Sequence, residues 1–313
     1  MNKTKHYATS SQGIADAAAV LVGGGTIAFP TETVYGLGAD ATNPDAVAQI
    51  YAAKGRPSFN PLIAHVASIE MAGALVEISP DAHRLMQAFW PGDLTLVLPL
   101  KADAGVAQAV TAGLPTLAVR MPNHPVATAL LRAVNRPIAA PSANPSGRVS
   151  PTTTQHVIDG LDRRIDGVVM GPDCAVGVES TILTLNPKPT LLRPGGVTIE
   201  EIETVLGSSV HHATKPTKIT APGQMTSHYA PDVPVRLNAT TAQGDELLIG
   251  FGDIAGERTL SATGNLAEAA EALFATLLDC ETQGRPIAFA PIPTTGIGLA
   301  INDRLTRAAA PKD

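Results

Sequence analysis

Aromatic side chains are scarce in this sequence, with one Trp, four Tyr and six Phe among 313 residues. Recognition of single strands by rows of stacked rings is therefore not expected. Cysteine is scarcer still. Cys174 and Cys280 stand far apart, fit no metal-ligand spacing, and read as buried free thiols of a reducing compartment. No run approaches the ~18 consecutive apolar residues of a membrane helix. The apolar segment Ile14 to Val22 is interrupted by Asp16 and leads into a glycine turn rather than a cleavage site. A soluble, cytoplasmic protein with no secretion signal and no membrane attachment is the expectation. Basic charge is also missing: the formal net charge is −6, and acidic side chains outnumber basic ones both before and after residue 207. That balance argues against strong non-specific RNA binding.

Several catalytic signatures are absent as well. Without G-x-x-x-x-G-K-[ST] the chain is not a P-loop NTPase, and without G-x-S-x-G it is not a hydrolase of the nucleophile-elbow type. The eight histidines contain no H-E-x-x-H, so no protein-built metal site is expected. Gly36-Leu37-Gly38-Ala39-Asp40-Ala41 does match the dinucleotide-binding string G-x-G-x-x-[GA]. Its context is wrong, because Thr31 to Tyr35 separate it from the preceding strand and Asn43-Pro44 delay the helix.

What the sequence does have is punctuation: 28 glycines and 26 prolines in a chain too apolar for disorder. Asn43-Pro44, Ser79-Pro80 and Ser150-Pro151 each place a capping side chain before a Pro suited to the first helical turn. Thr198 with Glu201 makes a capping box. Strands are expected at 26–29, 62–66, 94–98, 116–120, 137–140, 168–170, 181–185 and 191–193. Consecutive strands over 168–193 favour a mixed sheet, hence an α/β (α+β) layer fold of a mixed sheet with helices. Residues 1–207 are expected to form the main domain and 208–231 a Pro-rich linker. Residues 232–313 should then form a small α/β domain with strands at 235–237, 247–251 and 287–290.

Four apolar strands run into Pro-containing turns with polar flanks: Phe29-Pro30-Thr31-Glu32-Thr33, Val119-Arg120-Met121-Pro122, Ala140-Pro141-Ser142-Ala143-Asn144 and Leu192-Arg193-Pro194-Gly195. Ligands of α/β sheets bind beyond strand ends. Lys54, Arg56, Arg120, Arg148 and Arg193 stand beside the rigid turns. In an acidic protein that grouping points to an anionic ligand such as a polyphosphate, held by point charges and guanidinium forks.

Taken together, Gly24-Gly25-Thr26, Phe29 through Gly38, Lys54-Gly55-Arg56-Pro57, Asn60-Pro61-Leu62, Trp90-Pro91-Gly92, Thr116 to Pro122, Pro141 through Gly147, Ser150-Pro151-Thr152, Glu179-Ser180-Thr181 and Arg193-Pro194-Gly195 resemble the YrdC/TsaC-like threonylcarbamoyl-AMP synthase family. Ala221-Pro222-Gly223, His228 to Pro231, Gly296-Ile297-Gly298 and Asn302-Asp303-Arg304 resemble the linker and C-terminal domain of its long, two-domain form.

The resemblance implies formation of threonylcarbamoyl-adenylate and pyrophosphate from L-threonine, bicarbonate and ATP. It further implies delivery of that group to adenosine 37 of ANN-decoding tRNAs, with tRNA and the threonylcarbamoyl-transferase machinery as partners. It also implies a YrdC-like fold, a twisted, open mixed sheet with helices that forms a concave positive cleft, with a Rossmann-like second domain. Mg²⁺ is implied as the companion of ATP. Lys54 and Arg56 are the implied catalytic clamp. ATP contacts carry over to Lys54, Arg56, Asn60, Thr116, Ser142, Asn144, Ser150, Arg193 and Tyr229, and threonine contacts to Thr33, His65, Arg120, Ala140 and Ser180. If Tyr229 reaches the cleft, residues 221–231 act as a lid. The competing reading is an RNA-binding module using the same concave cleft without catalysis.

Overall fold

The computed structural model describes residues 3–212 and 229–311. In chain order the first unit runs β1 (Lys5–Tyr7), α1 (Ser11–Val22), β2 (Ile27–Phe29), β3 (Gly36–Asp40), α2 (Pro44–Lys54), β4 (Ile63–His65), α3 (Ile69–Leu75), α4 (Pro80–Phe89), β5 (Leu94–Pro99), α5 (Gln108–Thr111) and β6 (Thr116–Arg120). It continues through α6 (Pro125–Val134), β7 (Ile138–Ala139), α7 (Thr154–Leu161), β8 (Gly167–Val169), β9 (Thr181–Thr184), β10 (Thr190–Arg193), α8 (Ile199–Leu206) and β11 (His211–His212). The second unit comprises β12 (Val235–Arg236), β13 (Leu247–Gly250), β14 (Arg258–Thr259), α9 (Leu266–Thr282), β15 (Ile287–Phe289) and α10 (Gly298–Ala308).

Strands β1 to β11 form one sheet in the order β1-β8-β2-β3-β7-β4-β6-β5-β9-β10-β11. Parallel pairs such as β4 with β6 alternate with antiparallel ones such as β5 with β6, so the sheet is mixed, as the run of strands over 168–193 suggests. The other sheet, β12-β15-β13-β14, is parallel throughout, in keeping with a small α/β unit. Most of the expected linker lies outside the described residues, including Ala221-Pro222-Gly223 and His228. Its first residues do not belong to a linker: His211 and His212 pair with Thr190 and Leu191, extending the large sheet past 207. Polar composition hid this edge strand, because backbone pairing needs no particular side chain.

Helix starts follow side-chain chemistry. Asn43 accepts from the Asp45 and Ala46 N–H groups ahead of α2, Pro44 takes the first helical position, and Gly55 ends the helix with φ 60°. Thr198 and Glu201 form the reciprocal capping box of α8. The cap expected at Ser150 is wrong. α7 begins three residues later, with Thr153 accepting from the His156 N–H, while the wholly buried Ser150 side chain is turned inward and its hydroxyl donates to the Glu179 carboxylate. β3 was not expected either, since glycines weaken strands. Here Gly38 is required by a close approach: a Cβ would come within 2.8 Å of both Ile138 and Phe29.

One face of the large sheet contributes Leu37, Ala64, Leu96, Leu117, Val119 and Leu183 to the main core, shared with α2, α4, α7 and α8. On the opposite face, α1 and α6 pack over Ile27, Phe29 and Ile138 at the β2 and β7 end. Ile63, Val97, Ala118 and Ile182 continue this face as a separate small cluster that includes no described helix. Strand alternation puts His65 and Arg120 on the same side as Ile63 and Ala118, so polar strand ends open onto this uncovered half. The second unit closes one end of it. Val34, Val149, Val178 and Tyr229 share a core with Leu273 and Phe274 of α9. At Gly177, φ +75°, a Cβ would meet the Glu271 Cα at 2.3 Å, so the two units touch backbone to backbone.

Candidate active site

The site is built from strand ends and the turns that follow them. Between β2 and β3, the Thr31 hydroxyl donates to the Val34 carbonyl and accepts from the Thr33 and Val34 N–H groups, which fixes the loop. Arg120, at the end of β6, crosses to this loop: Nη1 donates to Thr33 Oγ1 at 2.9 Å, Nε donates to the Gly92 carbonyl at 3.1 Å, and Nη2 lies 2.7 Å from Glu32 Oε1. This last contact is a buried ion pair: burial opposes ionisation, but the Arg120 charge holds the Glu32 carboxyl below its usual range. The turn after β7 runs along β3: Leu37 N–H donates to the Pro141 carbonyl and Ala143 N–H to the Tyr35 carbonyl, each at 2.8 Å. Ser142 is thereby held over the cleft.

Arg193 reaches the cleft through a β-bulge. Leu191 opposes Leu183 and both face the main core, but Arg193, two residues on, opposes Ile182, only one residue back. Regular alternation would have turned Arg193 into the core, and the extra residue re-aims it at the pocket. Its Nε and Nη2 then donate to the Ser180 carbonyl at 3.1 and 2.9 Å.

One pocket gathers Thr33, Arg56, His65, Arg120, Ala140, Ser142, Ser180, Arg193 and Tyr229 from the expected site residues. Lys54 is not on its lining. The Lys54 ammonium is buried beneath the wall, donating to the Ser142 carbonyl at 2.6 Å and to that of Asn144. The clamp expected of a Lys54–Arg56 pair is thus divided: Lys54 shapes the 142–144 turn, while Arg56, anchored on the Asn60 and Pro61 carbonyls, faces the pocket. Asn60 and Ser150 are buried behind the lining, and Asn144 borders a neighbouring groove between the two units. Thr116 starts the strand that Arg120 ends, roughly 13 Å away. It shares Arg120's face, so only an extended ligand lying along β6 could touch both.

Glu179 was missed as a site residue. Nothing local marks it except its being the one carboxylate in the apolar stretch Val176 to Leu185. It lines the pocket, accepts the Ser150 hydroxyl on one oxygen and Arg304 Nε of α10 on the other at 2.9 Å.

The electrostatics are those of a cation store. Burial pulls the Lys54 ammonium well below its usual range, and the Arg56 charge pulls it further. Burial also takes Arg56 down to about 10 and lowers Arg193. His65 is pushed to about 3 by burial and then by the Arg120 charge, so it is neutral at ordinary pH. Positive charges crowded together and cut off from water are stabilised by an incoming anion. Glu179 is the exception in sign. Burial opposes its ionisation, but Arg304, Arg193 and the Ser150 hydroxyl hold it at about 2 against an ordinary 4.5. A depressed carboxyl stabilises the fold fully above pH 4.5 and loses that contribution as pH falls toward 2. Glu179→Gln should therefore flatten the acid limb of the stability curve by on the order of 3 kcal/mol between neutral pH and pH 2. Urea midpoints that follow the wild-type pH dependence would disprove it.

Among the described residues no group of three His, Cys, Asp or Glu could hold a metal, and no helix is long and apolar enough to cross a membrane.

Comparison with known proteins follows the same lines. Residues 19–195 match the Sua5/YciO/YrdC family model, described as "Telomere recombination". Residues 197–310 match the model "Threonylcarbamoyl-AMP synthase, C-terminal domain". A Bacillus subtilis threonylcarbamoyl-AMP synthase is 44% identical over 98% of this chain and 95% of its own length. One from Pyrococcus abyssi is 40% identical over 91% of each. The crystal structure of P. abyssi Sua5 complexed with L-threonine superposes with a TM-score of 0.90 at 37% identity, covering 98% of this chain and 97% of that one. With both family models matched in order and the pocket residues assembled on one sheet face, the chain belongs to the Sua5/YciO/YrdC family in its two-domain form.

Proposed function

We propose that this protein is a threonylcarbamoyl-AMP synthase. It joins L-threonine and bicarbonate-derived CO2 to the AMP moiety of ATP, and pyrophosphate leaves. The observation that carries the reading is the convergence of Arg56, Arg120 and Arg193 on one pocket, in a protein whose net charge is −6. The relatives' names and the threonine complex of the P. abyssi protein support the choice of substrate.

In this reaction the threonine amine attacks CO2 and loses a proton, giving a carbamate. A carbamate oxygen then attacks the α-phosphorus as the bond to pyrophosphate breaks. Nothing in these steps demands a covalent enzyme intermediate, so positioning and charge neutralisation do the catalysis. Thr33, His65, Arg120, Ala140 and Ser180 would hold threonine. Neutral His65, which lines the pocket, offers a polar contact without adding charge. Arg56 and Arg193 would face the phosphates, with Ser142 and Tyr229 at the nucleotide. Lys54, Asn60, Asn144 and Ser150 would support that wall, and Thr116 would meet the far end of an extended nucleotide. Mg²⁺ would arrive on the triphosphate as part of the substrate, since the described residues build no cage for it. The product would serve threonylcarbamoylation of tRNA adenosine 37 in the cytoplasm. The first domain, carried past 207 by β11, and the second, near 232–313, would divide the labour. An RNA-binding role for this cleft without catalysis is less well supported, because Arg56, Arg120 and Arg193 converge on a pocket and not along an exposed face.

Purified protein given ATP, Mg²⁺, L-threonine and bicarbonate should release pyrophosphate only when both threonine and bicarbonate are present. Release that ignores either one would refute the assignment.

A further inference from the structure

Arg304 is wholly buried although it sits in α10 of the second unit, and its main partner belongs to the first. Nε donates to Glu179 Oε2 at 2.9 Å, and Nη2 leans on the Glu179 carbonyl at 3.4 Å. Nη1 donates to Asp303 Oδ2 at 2.8 Å, and Asp303 is itself gripped by Arg307 Nε at 3.0 Å. The guanidinium is therefore oriented from within α10 before it meets Glu179. Its central carbon also lies 5.4 Å from the centroid of the Tyr229 ring, which stacks on Phe274 of α9 at 5.4 Å and 29°.

Both groups that Arg304 touches in this way, Glu179 and Tyr229, line the pocket. Tyr229 has φ +60°, a conformation that costs energy for a bulky residue and persists only where its surroundings hold it. Phe274 and Arg304 supply that hold from the second unit, and the Ala230 N–H bonded to the Gly147 carbonyl supplies it from the first. Glu179 presents a different problem. Its carboxylate borders a pocket shaped for anions, and unneutralised it would repel a triphosphate. With Arg304 in place the Glu179 charge is balanced, and the hydrogen bond donated by the Ser150 hydroxyl holds the carboxylate in its place at the pocket wall.

A buried ion pair could also be a simple staple between two units, replaceable by apolar side chains. A staple would leave substrate preference untouched. We infer that Arg304 is a positioning residue of the nucleotide pocket, acting through Glu179 and Tyr229, so that the second unit completes the ATP site. This rests on the adenylate-forming reading above.

The experiment begins with wild-type pyrophosphate release, whose absence would overturn that reading and not this one. In active enzyme, Arg304→Gln should raise the KM for ATP about 20-fold, the loss of one charge-assisted contact, with the threonine KM within about twofold of wild type. Adding Glu179→Gln to Arg304→Gln removes the stranded carboxylate and should lower the ATP KM again by about fivefold. Arg304→Lys keeps a buried cation without the planar fork, and should raise the ATP KM about fourfold at unchanged threonine KM. The lysine variant carries the test if Arg304→Gln does not fold. An ATP KM unmoved in Arg304→Lys, ATP and threonine KM rising together, or a double variant no better than Arg304→Gln would each reduce Arg304 to a staple and overturn the inference.

Discussion

Arg56→Ala should lower threonine-dependent pyrophosphate release about 10²- to 10³-fold, the range for removing one preorganised charge donor from a reaction centre. The loss should appear with little change in thermal stability. Arg56 does give up its bonds to the Asn60 and Pro61 carbonyls. Its departure also removes a positive charge that adds to burial in lowering the Lys54 pKa, and one that Arg193 repels. The two effects oppose each other. Lys54→Ala should behave differently, because it strips the donor from the Ser142 and Asn144 carbonyls. Leaving two acceptors unpaired under the wall costs about 2–4 kcal/mol, so activity and stability should fall together. Turnover of Arg56→Ala within threefold of wild type, measured alongside its melting temperature, would remove Arg56 from the phosphate site.

The second large effect is expected at Gly195. A Cβ there would stand 2.1 Å from the Thr181 N, 2.4 Å from the Ser180 C and 2.5 Å from the Glu179 O. All three are backbone atoms, so no side chain can rotate away. Gly195→Ala must push the chain after β10 off the start of β9. That motion displaces Arg193 on one side and Glu179 and Ser180 on the other, all of which line the pocket. We expect a loss of about 3 kcal/mol in stability and no measurable turnover. Gly207→Ala is the control: φ is +69°, yet nothing lies within 4 Å of its would-be Cβ. It should cost only about 1 kcal/mol of backbone strain and leave turnover intact. Wild-type turnover in Gly195→Ala would show that the close approach does not govern the site.

Much of this molecule could be read from local chemistry. Asn43-Pro44 and Ser79-Pro80 start helices where capping rules put them, and Thr198 with Glu201 closes its box. Runs such as 94–98 and 116–120 are strands because β-branched and apolar residues there need a sheet face on each side. The failures are equally physical. Ser150 looked like a cap and became a buried donor, since its bond to a carboxylate 29 positions away turns the side chain into the interior, away from the start of α7. Gly36 to Asp40 looked like a failed nucleotide fingerprint and became a strand, because the space between Phe29 and Ile138 admits no side chain. His124 caps α6 through its ring nitrogen, a role outside the usual set of capping residues.

The sequence by itself determined the kinds of element, the mixed sheet, and the cluster of strand-end motifs whose ordered spacing marks the family. Those properties depend on neighbours a few residues apart, and local rules reach that far. The tertiary structure alone decided which cations face the pocket. Lys54 and Arg56 are two residues apart in sequence, yet one is tied to carbonyls of another turn and the other opens to the pocket. Arg193 points into the cleft because of a bulge in register that no single strand can reveal. Glu179 and Arg304, 125 positions apart, became partners only when two separately built units closed on each other. Burial then made that pairing matter, because a charge removed from water must find its counterpart wherever the fold has placed it.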